Sequence, residues 1–184
     1  KGIVIKLSPK FSYINKHEKN ILEVGAGTLD RTLSSYAAEN SIINFEFLSC
    51  IPGSLGGAIR MNSGCYGNEI SDILISVKGT DFKGKIIEIK KEDIKFFYRG
   101  TNLPEGLIIT SVKLKGKMMS RDEIEKKQND YIERKKKSQP SQIKTCGSTF
   151  KNISEDRKAW QLIKETGCDK FKEGDATMSE KHCN

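Results

Sequence analysis

Residues 49–70 read SCIPGSLGGAIRMNSGCYGNEI, and the fold of this chain turns on that stretch. Pro52, Gly53, Gly56, Gly57, Gly64 and Gly67 fall within sixteen positions. Glycine lacks a Cβ and tolerates φ > 0, so a segment this rich in it lets backbone approach another group closely. Successive N–H groups in such a segment curl into a concavity that suits an anion. Ser54 adds a hydroxyl, and Pro52 fixes one φ angle. Two readings stand side by side on this pattern: a loop that wraps the phosphates of a nucleotide, and a glycine-rich surface turn without a ligand. The pattern is neither the dinucleotide fingerprint G-x-G-x-x-G nor the phosphate loop that ends in Gly-Lys-Ser/Thr.

The rest of the chain sets the context. Its 184 residues suit one large or two small domains. No apolar run approaches the roughly 20 residues that span a bilayer, so no membrane segment is expected. Lys1 to Leu7 reads as a strand rather than a secretory leader. A first residue of lysine, not methionine, suggests an internal piece of something longer. The formal charge is +8, which raises nucleic acid as a partner. The basic residues are mostly lysines scattered along the chain, with no aromatic-rich strand for stacking bases. A solvated basic surface is therefore expected, and no nucleic-acid partner. Positive potential of this kind also helps recruit anionic ligands. The five cysteines are odd in number and none shows C-x-x-C spacing. A reduced, cytoplasmic setting and no metal are expected.

Strands are predicted over Gly2–Leu7, Ile21–Gly25, Ile73–Gly79, Lys85–Ile89 and Ile108–Leu114. Asp81–Lys85 is predicted to turn one strand into the next as a hairpin. Thr28 reads as a helix N-cap with Asp30 in the first turn, and Leu29, Leu33, Tyr36 and Ala37 recur at helical spacing up to Asn40. Ser120 and Glu123 suggest a capping box for a helix that carries Ile124, Tyr131 and Ile132 on one face. Lys135, Lys136 and Lys137 close that helix, which suits the negative end of its dipole. Gln139-Pro140 then marks a boundary. This divides the chain into residues 1–117, a connecting helix over 118–138, and residues 139–184. In the last part Ser154 is the expected cap of a helix ended by Gly167, with Trp160 in the core.

Two further motifs follow the glycine-rich segment: FFYRGT at 96–101, an arginine after an aromatic cluster, and GSTFKN at 147–152. Ser148 has no histidine nearby in sequence and no G-x-S-x-G elbow, so a hydrolytic nucleophile is not indicated. Taken together, VGAGT at 24–28, FEFL at 45–48, residues 51–70, FFYRGT, Gln139-Pro140, GSTFKN and GDATMSEKHCN at 174–184 run collinearly along the whole chain. In this order they resemble the UDP-N-acetylenolpyruvoylglucosamine reductases, flavoenzymes of peptidoglycan precursor synthesis.

The resemblance implies an α+β fold: part of a vanillyl-alcohol-oxidase-like FAD-binding domain, then part of a small α+β substrate-binding domain. It implies FAD and NADPH as cofactors and a cytoplasmic, monomeric enzyme that serves cell-wall biogenesis, cell shape and division. It places Ile51, Pro52, Gly53, Ser54, Gly56 and Gly57 on the FAD, with Asn62, Gly64 and Tyr66 near it. Reduced FAD would pass hydride to the enolpyruvyl ether of UDP-N-acetylenolpyruvoylglucosamine. Arg99 matches the family's active-site arginine, and Ser148 matches its serine proton donor. Lys151 or Asn152 would contact the substrate. The family's catalytic glutamate lies beyond the stretch matching SEKHCN, and its amino-terminal Gly-Ser-Asn FAD loop precedes the stretch matched here. An alternative expectation is therefore an inactive remnant of a split or decaying reductase gene. Cys50, Cys146, Thr101 and Ile153 stand where the family more often has glycine, alanine or glycine, serine and proline.

Overall fold

A computed structural model describes residues 4–139, 147–154 and 156–184. These form two compact units, residues 1–132 and 133–184.

The first unit is built on a five-stranded antiparallel sheet. Its strands in chain order are β1 (Ile14–Glu18), β2 (Ile21–Gly25), β6 (Leu74–Thr80), β7 (Ile86–Lys90) and β10 (Ile108–Lys115). They pair in the order β1-β2-β10-β6-β7. Short pairs decorate this sheet: β3 (Ile42–Ile43) with β11 (Lys117–Met118), β4 (Gly64–Cys65) with β5 (Asn68–Glu69), and β8 (Phe96–Phe97) with β9 (Gly100–Thr101). The helices are α1 (Asp30–Glu39), α2 (Leu55–Arg60), α3 (Ile70–Ile73) and α4 (Arg121–Ser138), whose last residues fall in the second unit. Their apolar faces explain the architecture. Leu22 and Val24 of β2, Val77 of β6 and Leu114 of β10 are fully buried. They meet Leu33 and Ala37 of α1, Phe45, Phe47 and Leu48 of the following segment, and Leu55 and Ile59 of α2 in one cluster. Each fully buried leucine, isoleucine or phenylalanine stabilises the fold by about 1.5–3 kcal/mol. β1 has no fully buried residue and forms the wet edge of the sheet.

Most predicted elements appear within a residue or two. The hairpin at 81–85 is held by the Asp81 carboxylate, which accepts from Lys83 N–H and Lys85 N–H at 2.8 and 2.9 Å. Several expectations are corrected. Residues 4–7 of the first predicted strand form no strand, and the strand instead is Ile14–Glu18, a polar stretch. Thr28 does not cap α1, because its hydroxyl donates to the Tyr13 carbonyl at 3.1 Å and the N-cap position falls on Leu29. Ser120 pairs with Glu123 through side chains at 2.5 Å rather than through a reciprocal backbone box.

The second unit carries α5 (Ala159–Glu165) and a small hairpin of β12 (Lys172–Glu173) and β13 (Ala176–Thr177). Ser154 closes a turn by accepting from Arg157 N–H at 3.1 Å and does not cap α5, which starts after Lys158. Trp160 is 39% exposed rather than in a core, with the Lys164 ammonium 5.6 Å from its ring. Pro140 and Cys146 lie outside the described residues.

Candidate cofactor and substrate site

Two turns of the first unit are clamped face to face. Asp30 N–H donates to the Gly53 carbonyl at 3.1 Å, Leu55 N–H to the Thr28 carbonyl at 2.9 Å, and Gly56 N–H to the Ala26 carbonyl at 2.9 Å. This binds GAGTLD to IPGSLGG as a short two-stranded ladder that continues into α2. Gly56 is closely packed: a Cβ there would lie 3.2 Å from the Ala26 Cβ, so the facing turn would have to give by a few tenths of an ångström. Gly57 is different. A Cβ there would meet nothing within 4 Å, so its missing side chain opens space outward. Pro52, Gly53 and Gly57 are exposed, and the half-buried Ser54 hydroxyl caps no amide of α2. The face formed by Ser54, Gly57 and the loop backbone therefore fits a close-approaching anionic ligand such as the diphosphate of FAD.

The remaining predicted cofactor residues are less uniform. Ile51 is half-buried and packs on the core. Asn62 is buried, has φ 41°, and its side-chain oxygen accepts from Ser71 N–H at 3.2 Å. Gly64 sits in the β4–β5 hairpin, where a Cβ would lie 2.5 Å from the Asn68 carbonyl oxygen. Asn62 and Gly64 thus have structural duties in shaping the hairpin after α2. Tyr66 lies at that hairpin's turn with φ 54° and stacks on Tyr131 at 5.0 Å between ring centroids.

Arg99 occupies the turn between β8 and β9 with φ 60°. It is exposed, and its guanidinium carbon lies 5.3 Å from the Tyr98 ring centroid. The glycine-rich segment and this hairpin are joined through Arg60, the last residue of α2. Arg60 Nη1 donates to the Leu103 and Pro104 carbonyls at 3.0 and 2.9 Å, and Nη2 to the Leu107 carbonyl at 2.6 Å. The Thr101 hydroxyl donates in turn to the Arg60 carbonyl at 3.4 Å. Nothing in the sequence singled out Arg60, because its three partners lie more than forty residues away. Arg60→Ala is expected to lower the unfolding free energy by about 2–3 kcal/mol, since charge-assisted bonds to carbonyls are lost and the acceptors are left wanting. Urea denaturation checks this.

Asp30 was expected only as a first-turn residue of α1. It has no exposed surface, and neither carboxyl oxygen has a hydrogen-bond partner among the described residues. Its Oδ2 lies 3.5 Å from the position a Cβ on Gly53 would take. Burial pushes its pKa up to about 7.

In the second unit, Ser148 and Lys151 are exposed and follow Gly147 at φ 75°. Asn152 accepts from Ala159 N–H at 3.1 Å and so steadies the start of α5, which leaves its amide N–H₂ to other partners. The Phe150 peptide is held on both sides by Asn184, whose side chain accepts at 2.8 Å and donates at 3.0 Å. GSTFKN is thereby pinned to the segment that carries KHCN. Among the described residues no helix is long and apolar enough to cross a membrane.

Residues 1–90 match the FAD binding domain, and residues 139–184 match the UDP-N-acetylenolpyruvoylglucosamine reductase C-terminal domain. UDP-N-acetylenolpyruvoylglucosamine reductase of Pelagibacter ubique is 41% identical over the whole chain, which covers 61% of that relative. The reductase of Rickettsia bellii is 40% identical, again over the whole chain and 60% of the relative. The crystal structure of the Thermus caldophilus reductase superposes with a TM-score of 0.82 at 34% identity, over 95% of this chain and 63% of that one. The chain thus spans about three fifths of the length of the relatives it matches. Its two ends are matched by these domains, and its whole length is similar to the UDP-N-acetylenolpyruvoylglucosamine reductases.

Proposed function

We propose that the protein serves the reduction of UDP-N-acetylenolpyruvoylglucosamine to UDP-N-acetylmuramate, with FAD as cofactor and NADPH as reductant, in the cytoplasm. The observation that carries this reading is the open position at Gly57 beside the uncommitted Ser54 hydroxyl, on a loop clamped to the 26–30 turn. FAD, when bound, supplies the hydride that reduces the vinyl group. Ser54 and the backbone N–H groups of Gly53 and Gly57 would hold the cofactor's diphosphate, Ile51, Pro52 and Gly56 would shape the loop that presents them, and Asn62, Gly64 and Tyr66 would flank it. Arg99 meets the enolpyruvyl carboxylate, where negative charge grows during reduction. A planar guanidinium fits that group through two parallel bonds. The Ser148 Oγ gives its proton to the substrate α-carbon. Lys151 and the free amide of Asn152 take the substrate's diphosphate or carboxylate. The enzyme acts as a monomer.

The test is a titration of the intact protein with FAD, followed by the flavin absorption and fluorescence, for the natural chain and for Gly57→Val. The natural chain is expected to bind. Valine would fill the approach, and its overpacking cost of about 1–3 kcal/mol corresponds to a loss of about 5- to 150-fold in affinity. Equal affinity in both proteins would remove the loop from the site.

A further inference from the structure

We propose that Asp30 is a positioning residue of the cofactor loop, whose carboxyl must carry a proton for the loop to hold an anionic diphosphate. The proposal rests on the FAD reading above and deepens it. Asp30 is the first residue of α1, and its N–H is committed to the Gly53 carbonyl. Its side chain is buried rather than in solvent, with Oδ2 3.5 Å from the position a Cβ on Gly53 would take. A carboxylate buried without a single hydrogen bond is costly. A cap or first-turn aspartate on an exposed helix would instead be solvated and ionised.

Among the described residues no hydrogen bond or ion pair reaches the Asp30 carboxyl. The loop across from Asp30, residues 51–54, has no ionisable side chain. On α1 itself, Arg31 is exposed, Tyr36 is half-buried and Glu39 lies at the far end. The 3-10 segment Glu46–Cys50 packs against α1 and brings Glu46 and Cys50. Glu46 is already held by the Lys127 ammonium of α4 at 3.3 Å and by Asn44 N–H at 2.7 Å. α4 reaches α1 through Gln128, which donates to the Ser34 carbonyl and hydroxyl at 3.0 and 2.8 Å. β3 contributes only Ile42 and Ile43. None of these groups pairs with Asp30, so desolvation alone sets its proton affinity, with a pKa near 7. Ionised, it would repel a diphosphate on the other side of Gly53 and draw the loop's N–H groups inward. Protonated, it does neither.

The sign follows directly. If only the protonated form is competent, the apparent Kd is the intrinsic value divided by the protonated fraction. FAD affinity is then constant below about pH 6 and weakens by roughly tenfold at pH 8 and about a hundredfold at pH 9. In Asp30→Asn the amide cannot ionise, so affinity is flat over the same range and close to the natural value at pH 5.5. Ligand-free protein gives a second readout: its urea midpoint falls between pH 5 and 8 in the natural chain and holds in Asp30→Asn. Fluorescence titration with FAD at pH 5.5, 7, 8 and 9 on the intact protein decides the matter. A flat profile in the natural chain, or the same slope in Asp30→Asn, overturns the proposal while leaving the cofactor reading intact. No FAD binding at any pH overturns the cofactor reading and the proposal with it.

Discussion

Ser148→Ala in the intact protein is expected to lose turnover by about 10²–10⁴-fold, the range that a positioned proton donor supplies, while its FAD absorption stays that of the natural chain. The reasoning begins with charge. Reduction of an enolpyruvyl ether leaves electron density on the α-carbon and its carboxylate, and the product forms only when that carbon receives a proton. A serine is a weak acid in water, so it serves only if held close and polarised. The segment supplies the holding: Gly147 turns the backbone at φ 75°, and Asn184 grips the Phe150 peptide two residues on. Ser148 is exposed and has no place in a core. Its loss should leave the unfolding midpoint nearly unchanged. Steady-state NADPH oxidation with the sugar nucleotide measures the effect. Ser148→Cys, which keeps a donor at the same place, should recover part of the rate. Normal turnover in Ser148→Ala would remove the serine from the proton step.

Elements with strong local signals were legible in the sequence. β2, α1 and β10 carry regular spacing of residues that prove to be buried, and DFKGK states its own turn. The failures share a cause, namely that the deciding partner lies far away in sequence. β1 reads INKHE, a polar stretch that is a strand because β2 pairs with it, whereas the apolar residues at 4–7 find no such partner. Thr28 looks like a cap until Tyr13 takes its hydroxyl. Trp160 looks like core by composition, yet a small unit with few buried side chains leaves it half in water. Within the site, the glycines were visible but their division of labour was not. Sequence cannot tell Gly56, filled by Ala26, from Gly57, open to a ligand. It likewise presents Asp30 as an ordinary helix-dipole charge, and only the fold shows it buried close to Gly53.

Arg99→Gly should separate function from stability in opposite directions. Arg99 holds φ 60° between β8 and β9, the region a turn normally gives to glycine at this position. An L-residue there costs on the order of 1–2 kcal/mol. Glycine relieves that strain but adds backbone freedom to the unfolded chain, so the net gain in unfolding free energy is at most about 1 kcal/mol. No ion pair or hydrogen bond among the described residues is lost, since the guanidinium rests only over Tyr98. A residue kept in a costly conformation on an exposed turn, without structural return, points to a duty outside the fold. If that duty is to meet the carboxylate as its charge grows, removing the guanidinium takes away a preorganised donor worth about 2.7–4 kcal/mol, or 10²–10³-fold in kcat. Arg99→Lys keeps the charge without the two-pronged geometry and should fall between the two. The pairing of measurements gives the test its force: urea midpoint and kcat on the same proteins. A midpoint that drops in Arg99→Gly while kcat holds would make Arg99 a turn residue and nothing more.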